Sequence, residues 1–182
     1  MKNLQPWLLE SEEPWTRYRA LVDLLDRPKD DPQVQGARQE MVSHLQVQDL
    51  IHHAATWPGE ALKRHNDAKH PLYALSTLAD FGLTTDDPGM SAAIEAVMAH
   101  QAEEDAFQTK LHLYKRFGGR DGEYWTWMAC DTPTLLYALL AFGLGEEEIV
   151  KKAVEHLVGL GEDNGWRCRA APELGEFKGP GR

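Results

Sequence analysis

The sequence contains few cysteines, no long apolar run and fewer basic than acidic residues. Its two cysteines, Cys130 and Cys168, are too few for a disulfide-stabilised scaffold of the secreted type. Because no run of about 18 apolar residues occurs, the sequence predicts no transmembrane helix. Glu10, Glu12 and Glu13 interrupt the N-terminus before the apolar segment of a signal peptide could form, so we expect a cytoplasmic protein.

The charge balance is strongly acidic, with 19 Lys and Arg against 29 Asp and Glu and a formal net charge of −10. A nucleic-acid-binding surface needs a stripe of basic residues, and here these residues are scattered, so we expect no nucleic-acid partner. Hydrophobic residues make up 42% of the 182 residues, an ordinary value for a soluble globular protein. This length suits a single domain over 1–182 with a sizeable core.

Prolines mark the starts of most predicted helices, because the fixed φ and missing N–H of proline suit the first turn of a helix. The apolar residues that follow each proline recur at helical spacing. The predicted starts are Pro14, Asp31-Pro32, His70-Pro71, Asp87-Pro88 and Thr132-Pro133. A further helix passes through Val47 and Ala54 and stops at Trp57-Pro58-Gly59.

Two of these helices are apolar nearly all round, and each ends in the same triplet, Phe81-Gly82-Leu83 and Phe142-Gly143-Leu144. An amphipathic helix follows each triplet. This repetition predicts an array of helical hairpins, with the apolar helices inside and the amphipathic helices outside. The predicted fold class is therefore all-α, with hairpin repeats in two layers.

A long connection separates the two repeats and contains an expected short strand around Leu111–Leu113, followed by glycines at Gly118-Gly119. A connection of this length is usually functional or mobile, and we expect it to cover the mouth of a cavity. The predicted divisions of the chain are first helices at 14–57, a repeat at 65–107, the connection at 108–129, a second repeat at 130–168 and an irregular tail at 169–182.

The pattern of proline, apolar helix, Phe-Gly-Leu, amphipathic helix and Gly-Trp resembles the α/α-toroid superfamily, which includes terpenoid cyclases and protein prenyltransferase β-subunits. Gln101 to Phe107 and Leu157 to Trp166 are similar to the degenerate Gln…Gly-x-Trp repeats of that superfamily. The resemblance covers about residues 65–168 well and 14–57 loosely. It implies a toroid-like partial ring around a cavity for a hydrophobic or prenyl-type ligand.

The sequence departs from the enzymes of this superfamily at two points. The Asp-x-Asp-Asp motif of the squalene–hopene type cyclases is absent, and Asp86-Asp87-Pro88 is a predicted helix start. A full ring also needs about twice as many helices, so we expect a partial chain or a half-ring that pairs with a second copy.

Four residues form a candidate zinc site. If the apolar helices are parallel, their N-terminal ends meet, and His70 then lies opposite Asp131 beside Cys130, with Cys168 just after the Trp166 turn. All three residue types bind zinc, which needs three or four converging ligands. The resemblance adds that prenyltransferase β-subunits and lanthipeptide cyclases hold catalytic zinc with them. The alternative is that the cysteines are small buried hydrophobic residues, His70 a turn residue and Asp131 a cap, because no close ligand spacing is present.

Two further clusters have an ordinary alternative. Adjacent histidines on a helix face different sides, so His52, His53 and His65 are a poor chelating set and can be solvated helix residues. The carboxylates that could act as acid and base are Glu103, Glu104, Asp105 and Asp163. They are equally consistent with solvated loops.

Aromatic residues could line a ligand pocket. The candidates are Tyr73, Tyr124, Trp125, Trp127 and Tyr137. Aromatic walls suit a prenyl chain or a carbocation, whereas the alternative is plain core packing.

Three functional hypotheses follow. The chain is a cyclase- or transferase-like protein that acts on a hydrophobic substrate, a non-catalytic module that binds a hydrophobic small molecule, or a module that binds another protein chain, including a second copy of itself. The missing Asp-x-Asp-Asp motif favours the second over a cyclase, and a bound metal would favour the first.

Overall fold

The computed structural model describes residues 5–64, 66–115, 121–163 and 165–174. These residues form eight α-helices, one π-helical segment and two small antiparallel sheets, and 51% of the chain is helical. The fold is therefore mixed, and the prediction of an all-α, toroid-like partial ring is wrong. The two sheets lie in segments that sequence periodicity alone presented as a connection and a turn.

Most of the predicted helix starts, which are marked by prolines, are also helix starts in the structure. Pro14 opens the first long helix, which continues without interruption from α-helix into π-helix. The bounds are α1 Gln5–Leu9, α2 Pro14–Arg19, the π-helical segment Ala20–Leu24, α3 Pro32–Ser43, α4 Leu45–Ala54, α5 Pro71–Phe81, α6 Met90–Met98, α7 Thr132–Ala141 and α8 Glu148–Gly159.

Side-chain caps explain two of the helix starts. The Asp31 carboxylate accepts a hydrogen bond from the Gln33 N–H at 2.8 Å and begins α3. Nδ1 of His70 accepts from the Leu72 N–H at 3.2 Å and begins α5. Each bond satisfies a backbone donor that the first helical turn leaves unpaired.

The predicted start of α6 at Asp87-Pro88 is wrong by a few residues. Asp87 accepts instead from the Thr84 N–H at 2.7 Å and forms an ion pair with Arg38 at 2.6 Å. Gly89 then takes a left-handed conformation (φ 87°) as the residue before α6. The carboxylate of Asp87 therefore closes a turn and fixes it to α3, and the helix starts only after Gly89.

The first sheet corrects the prediction for the long connection. β1, Thr109–Leu113, includes the predicted strand and pairs in antiparallel register with β2, Gly122–Thr126. Side chains of β1 alternate between buried and half-buried, as expected for a strand with one face on the core. Leu62 extends the sheet, because its N–H donates to the Lys110 carbonyl at 2.8 Å. The glycines Gly118-Gly119 of this connection lie outside the described residues.

The second sheet is a small hairpin of β3, Gly161–Glu162, and β4, Gly165–Trp166. After β4 the chain runs back along the segment that precedes α7, where Met128 and Ala170 form an isolated antiparallel pair. A 3₁₀ turn at Pro172–Leu174 ends the described residues.

One large hydrophobic core joins these elements. It extends from Tyr18 on α2 to Ala153 on α8, and α5 packs against both α4 and α7. A smaller cluster, Ala106, Trp127 and Ala171, lies beside it. Within the described residues, no helix is long and apolar enough to span a membrane.

The apolar helix α7 is less enclosed than its composition suggests. Tyr137 and Leu140 are 47% and 42% exposed, although Leu135 and Leu139 are buried on the opposite side. The composition of α7 therefore predicted a buried helix, and the structure leaves one side of it open.

Candidate docking groove

An apolar groove lies between α2 with its π-helical extension and the C-terminal end of α5. The rings of Trp15 and Phe81, which both line it, stack with 5.0 Å between centroids and 10° between planes. The groove, which we call the Trp15 groove, has a volume of about 430 Å³ and opens to solvent. Its lining is mainly apolar and consists of Leu8, Trp15, Thr16, Arg19, Ala20, Asp23, Leu24, Asp80 and Phe81.

Local sequence explains why these aromatic and aliphatic groups reach the surface. Pro14 begins α2, so Trp15 stands in the first turn and reaches across to α5. Phe81 is the last residue of α5, before the left-handed Gly82 (φ 84°) turns the chain away. Leu24, at the end of the π-helical segment, is 59% exposed. The groove therefore exposes apolar groups contributed by two helix ends.

Charged side chains surround this apolar floor. Arg19 forms an ion pair with Asp23 at 2.8 Å, and both side chains are about two-fifths exposed (40% and 43%). The Tyr137 hydroxyl donates to Oδ1 of Asp80 at 2.5 Å, which holds the pKa of Tyr137 above its ordinary value of 10.0. α7 thus reaches the rim of the groove through this hydrogen bond.

A neighbouring hollow continues the same surface. Leu8 and Thr16 line both, and the extension adds Trp7, which is 71% exposed, together with Glu12 and Glu13. The combined rim therefore has four carboxylates, Glu12, Glu13, Asp23 and Asp80, against the single guanidinium of Arg19.

Electrostatic interactions link the first turns of α5 and α7. The pKa of Tyr73 lies above its ordinary value, mainly because the side chain is partly buried. The charges of the buried Asp131 carboxylate and of Cys130 raise this pKa further. Asp131 also acts on His70. The N-terminal ends of α5 and α7 therefore lie together.

His70 has no ring nitrogen left for a metal. It is 5% exposed, its Nε2 donates to the Glu60 carbonyl at 3.1 Å, and its Nδ1 accepts from Leu72. Burial lowers the pKa of His70 below 6.5, although the bond to Glu60 and the charges of Asp67 and Asp131 act in the opposite direction. The neutral ring is thus a structural cap.

A zinc ion does not fit this set of residues. Within the described residues, no group of three or more His, Cys, Asp and Glu side chains could hold a metal ion. Cys130 and Cys168 are both exposed, and the His70 nitrogens are engaged with the backbone.

The five predicted aromatic residues occupy different surroundings. Trp125 stacks on His100 with 3.5 Å between ring centroids, and Trp127, which is buried, meets His156 edge-on at 4.8 Å. Tyr124 lies on β2, Tyr73 is in the first turn of α5, and Tyr137 is at the groove rim. A common aromatic pocket stays a prediction.

The remaining predicted clusters have backbone roles or solvent contact. His52 is exposed, His53 donates to the Lys69 carbonyl at 2.7 Å, and His65 lies outside the described residues. Glu103 and Asp163 are exposed, whereas Glu104 and Asp105 are half-buried.

The turn around these carboxylates is held by Gln101. Its side-chain amide donates to the carbonyls of Asp105 at 2.8 Å and Ile149 at 3.0 Å. These two bonds fix the turn to the start of α8, so the glutamine that carried the sequence resemblance has a structural role here.

Sequence reasoning did not find the Trp15 groove. Its lining comes from two segments far apart in the chain, and neither has a recognised motif. The signal that was available is the high density of tryptophan near the N-terminus, with Trp7 and Trp15 beside Leu8 and Leu9.

Searches for similar proteins add no family to this description. Comparison with protein-family models, with curated proteins and with solved structures found no match.

Proposed function

We propose that this chain is a protein-interaction module that binds a basic, amphipathic segment of a partner protein in the Trp15 groove. The observation that carries the proposal is an exposed apolar floor inside a rim of carboxylates. Contiguous apolar surface with a polar rim is typical of interaction sites. The partner that complements it has apolar side chains for the floor and lysine or arginine for the rim.

The position of Asp80 is a reason to expect a positively charged partner. It lies in the last turn of α5, where the helix dipole already concentrates negative charge. A carboxylate there is unfavourable for the isolated helix and becomes favourable when a cation binds beside it. Local rules are most often broken at functional positions, so this placement favours a role in binding.

The Trp15–Phe81 stack supports the apolar part of the interaction. Large aromatic side chains in a concave site are the residue types that dominate binding energy at interfaces. An aromatic face also attracts an ammonium or guanidinium group by about 0.5–1 kcal/mol at exposed sites. A lysine or arginine placed between the ring of Trp15 and the carboxylate of Asp80 would use both features.

A hydrophobic small molecule is the second candidate ligand, as the sequence resemblance implies. The volume of about 430 Å³ lies within the range of small-molecule pockets. The acidic rim favours the basic segment over a neutral prenyl chain. Cyclase or transferase activity stays a prediction.

The test uses two synthetic amphipathic helical peptides with the same leucine stripe, one with lysine and one with glutamate at the polar positions. We expect the lysine peptide to bind, measured by titration calorimetry, and the glutamate peptide not to bind. Leu24→Ser should weaken the lysine peptide about tenfold, because one apolar contact of the floor is lost. Leu45→Ser is the matched control, since Leu45 is 72% exposed and lies outside the groove.

Two results would contradict the proposal. Equal binding of the two peptides would exclude the acidic rim as the determinant. Equal loss in Leu24→Ser and Leu45→Ser would place the binding surface elsewhere. A neutral hydrophobic probe such as a prenyl alcohol, titrated in parallel, separates the second candidate from the first.

A further inference from the structure

The segment before α7 pairs with the segment after β4. Met128 and Ala170 form an antiparallel pair, the Ala129 N–H donates to the Arg169 carbonyl at 2.8 Å, and the Ala171 N–H donates to the Trp127 carbonyl at 3.0 Å. These two bonds flank the Met128–Ala170 pair on either side. Such a pair is the narrow, non-hydrogen-bonded type, in which facing side chains come closest.

The two cysteines lie close to this pairing in sequence, one on each segment. Moving two residues forward from Met128 and two back from Ala170 reaches Cys130 and Cys168, which are the only cysteines of the chain. The pairing itself ends at the hydrogen bond between Ala129 and Arg169, and each cysteine is the next residue beyond that bond. A disulfide spans Cα distances of about 4.4–6.8 Å.

Local contacts keep each cysteine at the end of this pairing. The Asp131 N–H donates to the Met128 carbonyl at 3.0 Å, so the chain turns around Cys130 instead of extending away. Arg167 and Arg169 both form ion pairs with Glu162, at 2.6 and 2.5 Å. These two ion pairs hold the residues on either side of Cys168 to β3.

Both sulfur-bearing residues are accessible to a soluble reagent, since Cys130 and Cys168 are exposed. We propose that they form a reversible disulfide when the protein meets a low-molecular-weight disulfide as oxidant. This modification site is independent of the Trp15 groove. It would fasten the segment after β4 to the start of α7.

The reaction is thiol–disulfide exchange in two steps. The thiolate of one cysteine, its proton released to water, attacks a sulfur of the oxidant, and one oxidant thiolate leaves as a mixed disulfide forms. The thiolate of the second cysteine then attacks the protein sulfur of that mixed disulfide and releases the other oxidant thiolate. The two cysteines lose two electrons, and the oxidant is reduced to two thiols.

The test treats the full chain with oxidised glutathione, blocks remaining thiols with N-ethylmaleimide and measures the intact mass. The expected product has lost two hydrogen atoms, carries neither glutathione nor maleimide, and yields a tryptic peptide pair that links Cys130 to Cys168. Reduction by dithiothreitol should restore two maleimide-reactive thiols. A chain that carries two glutathiones, a covalent dimer, or two unreacted thiols would each overturn the proposal.

Single variants supply the control and a structural readout. In Cys168→Ser, Cys130 should stop at the mixed disulfide with glutathione, and Cys130→Ser should do the reverse. Hydrogen exchange at the Ala129 and Ala171 amides should slow at least severalfold on oxidation of the unmodified chain and stay unchanged in both variants. Unchanged exchange in an internally bridged chain would show that the bridge does not fasten this pairing, and would overturn that part of the proposal.

Discussion

The Phe-Gly-Leu turns after α5 and α7 have the same local backbone and different surroundings. Both glycines are left-handed, with φ 84° at Gly82 and 97° at Gly143. The Leu83 N–H donates to the Leu78 carbonyl, and the Leu144 N–H donates to the Leu139 carbonyl, each at 3.1 Å. Each triplet therefore closes its helix with the same left-handed glycine motif.

The surroundings of the phenylalanine and of the glycine differ between the two turns. Phe142 is completely buried, whereas Phe81 is half-buried in the stack that forms the Trp15 groove. A Cβ on Gly82 would meet Tyr18 and Arg19 of α2, and a Cβ on Gly143 would meet nothing within 4 Å. The same short sequence thus ends α7 in the core and α5 at a candidate docking surface. The cause of the difference is α2, which packs against the turn after α5.

The largest expected difference separates the two phenylalanines. Phe142→Ala should lower the free energy of unfolding by about 3–5 kcal/mol, because it empties a fully buried site. Phe81→Ala should lower it by about half as much or less, since the ring is partly exposed and its stacking adds only about 0.5–1.5 kcal/mol. Urea unfolding monitored by circular dichroism measures both. Equal losses would show that the two turns are energetically alike after all.

Substitutions of the two glycines should differ less in their effect on the free energy of unfolding. Gly143→Ala should cost about 1–2 kcal/mol, the strain of a left-handed alanine. Gly82→Ala should cost about 1 kcal/mol more, because its new Cβ would lie 3.0 Å from Nη1 of Arg19 and 3.1 Å from Cε1 of Tyr18.

Gly36→Ala is the control for this glycine pair. It lies inside α3 with nothing within 4 Å of the added Cβ, and should stabilise the protein by about 0.5–1 kcal/mol in the same urea experiment. If Gly143→Ala lowers the free energy of unfolding as much as Gly82→Ala or more, the contact of α2 with Gly82 has no energetic effect.

The smallest effect concerns the helix starts. The α5 cap, His70, has a pKa lowered by burial, whereas the first residue of α7, Thr132, donates its hydroxyl out of the helix to the Phe107 carbonyl at 3.1 Å. As the pH falls below 6.5, the unfolded chain binds a proton at His70 that the folded chain resists, so stability is lost toward acid. Protonation of Nδ1 would also break its hydrogen bond from Leu72.

The measurement compares urea unfolding at about pH 7.5 and about pH 5.5, on either side of the ordinary histidine pKa. His70→Asn keeps a side-chain acceptor for the cap and removes the titration, so its stability should fall less between the two pH values. The other histidines contribute to both proteins and cancel in the difference. An identical fall in the two proteins would assign the acid sensitivity to other groups.

Helix starts and stops were predictable because the chemistry that sets them is local. Proline at the first helical turn, Asp31 as a cap and glycine after Phe81 each act within a few residues. The failure at Asp87 has a non-local cause, the ion pair with Arg38, which recruits the carboxylate into a turn. A rule based on neighbours in sequence does not include such a partner.

The sheets and the groove were not predictable for the same reason. β1 has the alternation of a strand, but its partner β2 follows after a stretch of glycines, and its aromatic residues suggested a pocket wall. The Trp15 groove depends on α2 meeting the end of α5, a contact between distant parts of the chain. The pairing of two similar helices predicts that Asp131 lies opposite His70, and in the structure the charge of Asp131 acts on the pKa of His70.

The π-helical segment Ala20–Leu24 has a consequence for where the groove can exist. In a regular α-helix each residue turns about 100°, so residues nine apart, such as Trp15 and Leu24, would lie on opposite sides. The wider π-helical turn brings Leu24 round to the side of Trp15, and both line the groove. A π-helical turn is equivalent to one residue inserted into an α-helix. A single-residue length change, with no new side chain, thus alters which side chains of a helix share a face, and here that face lines the candidate docking groove.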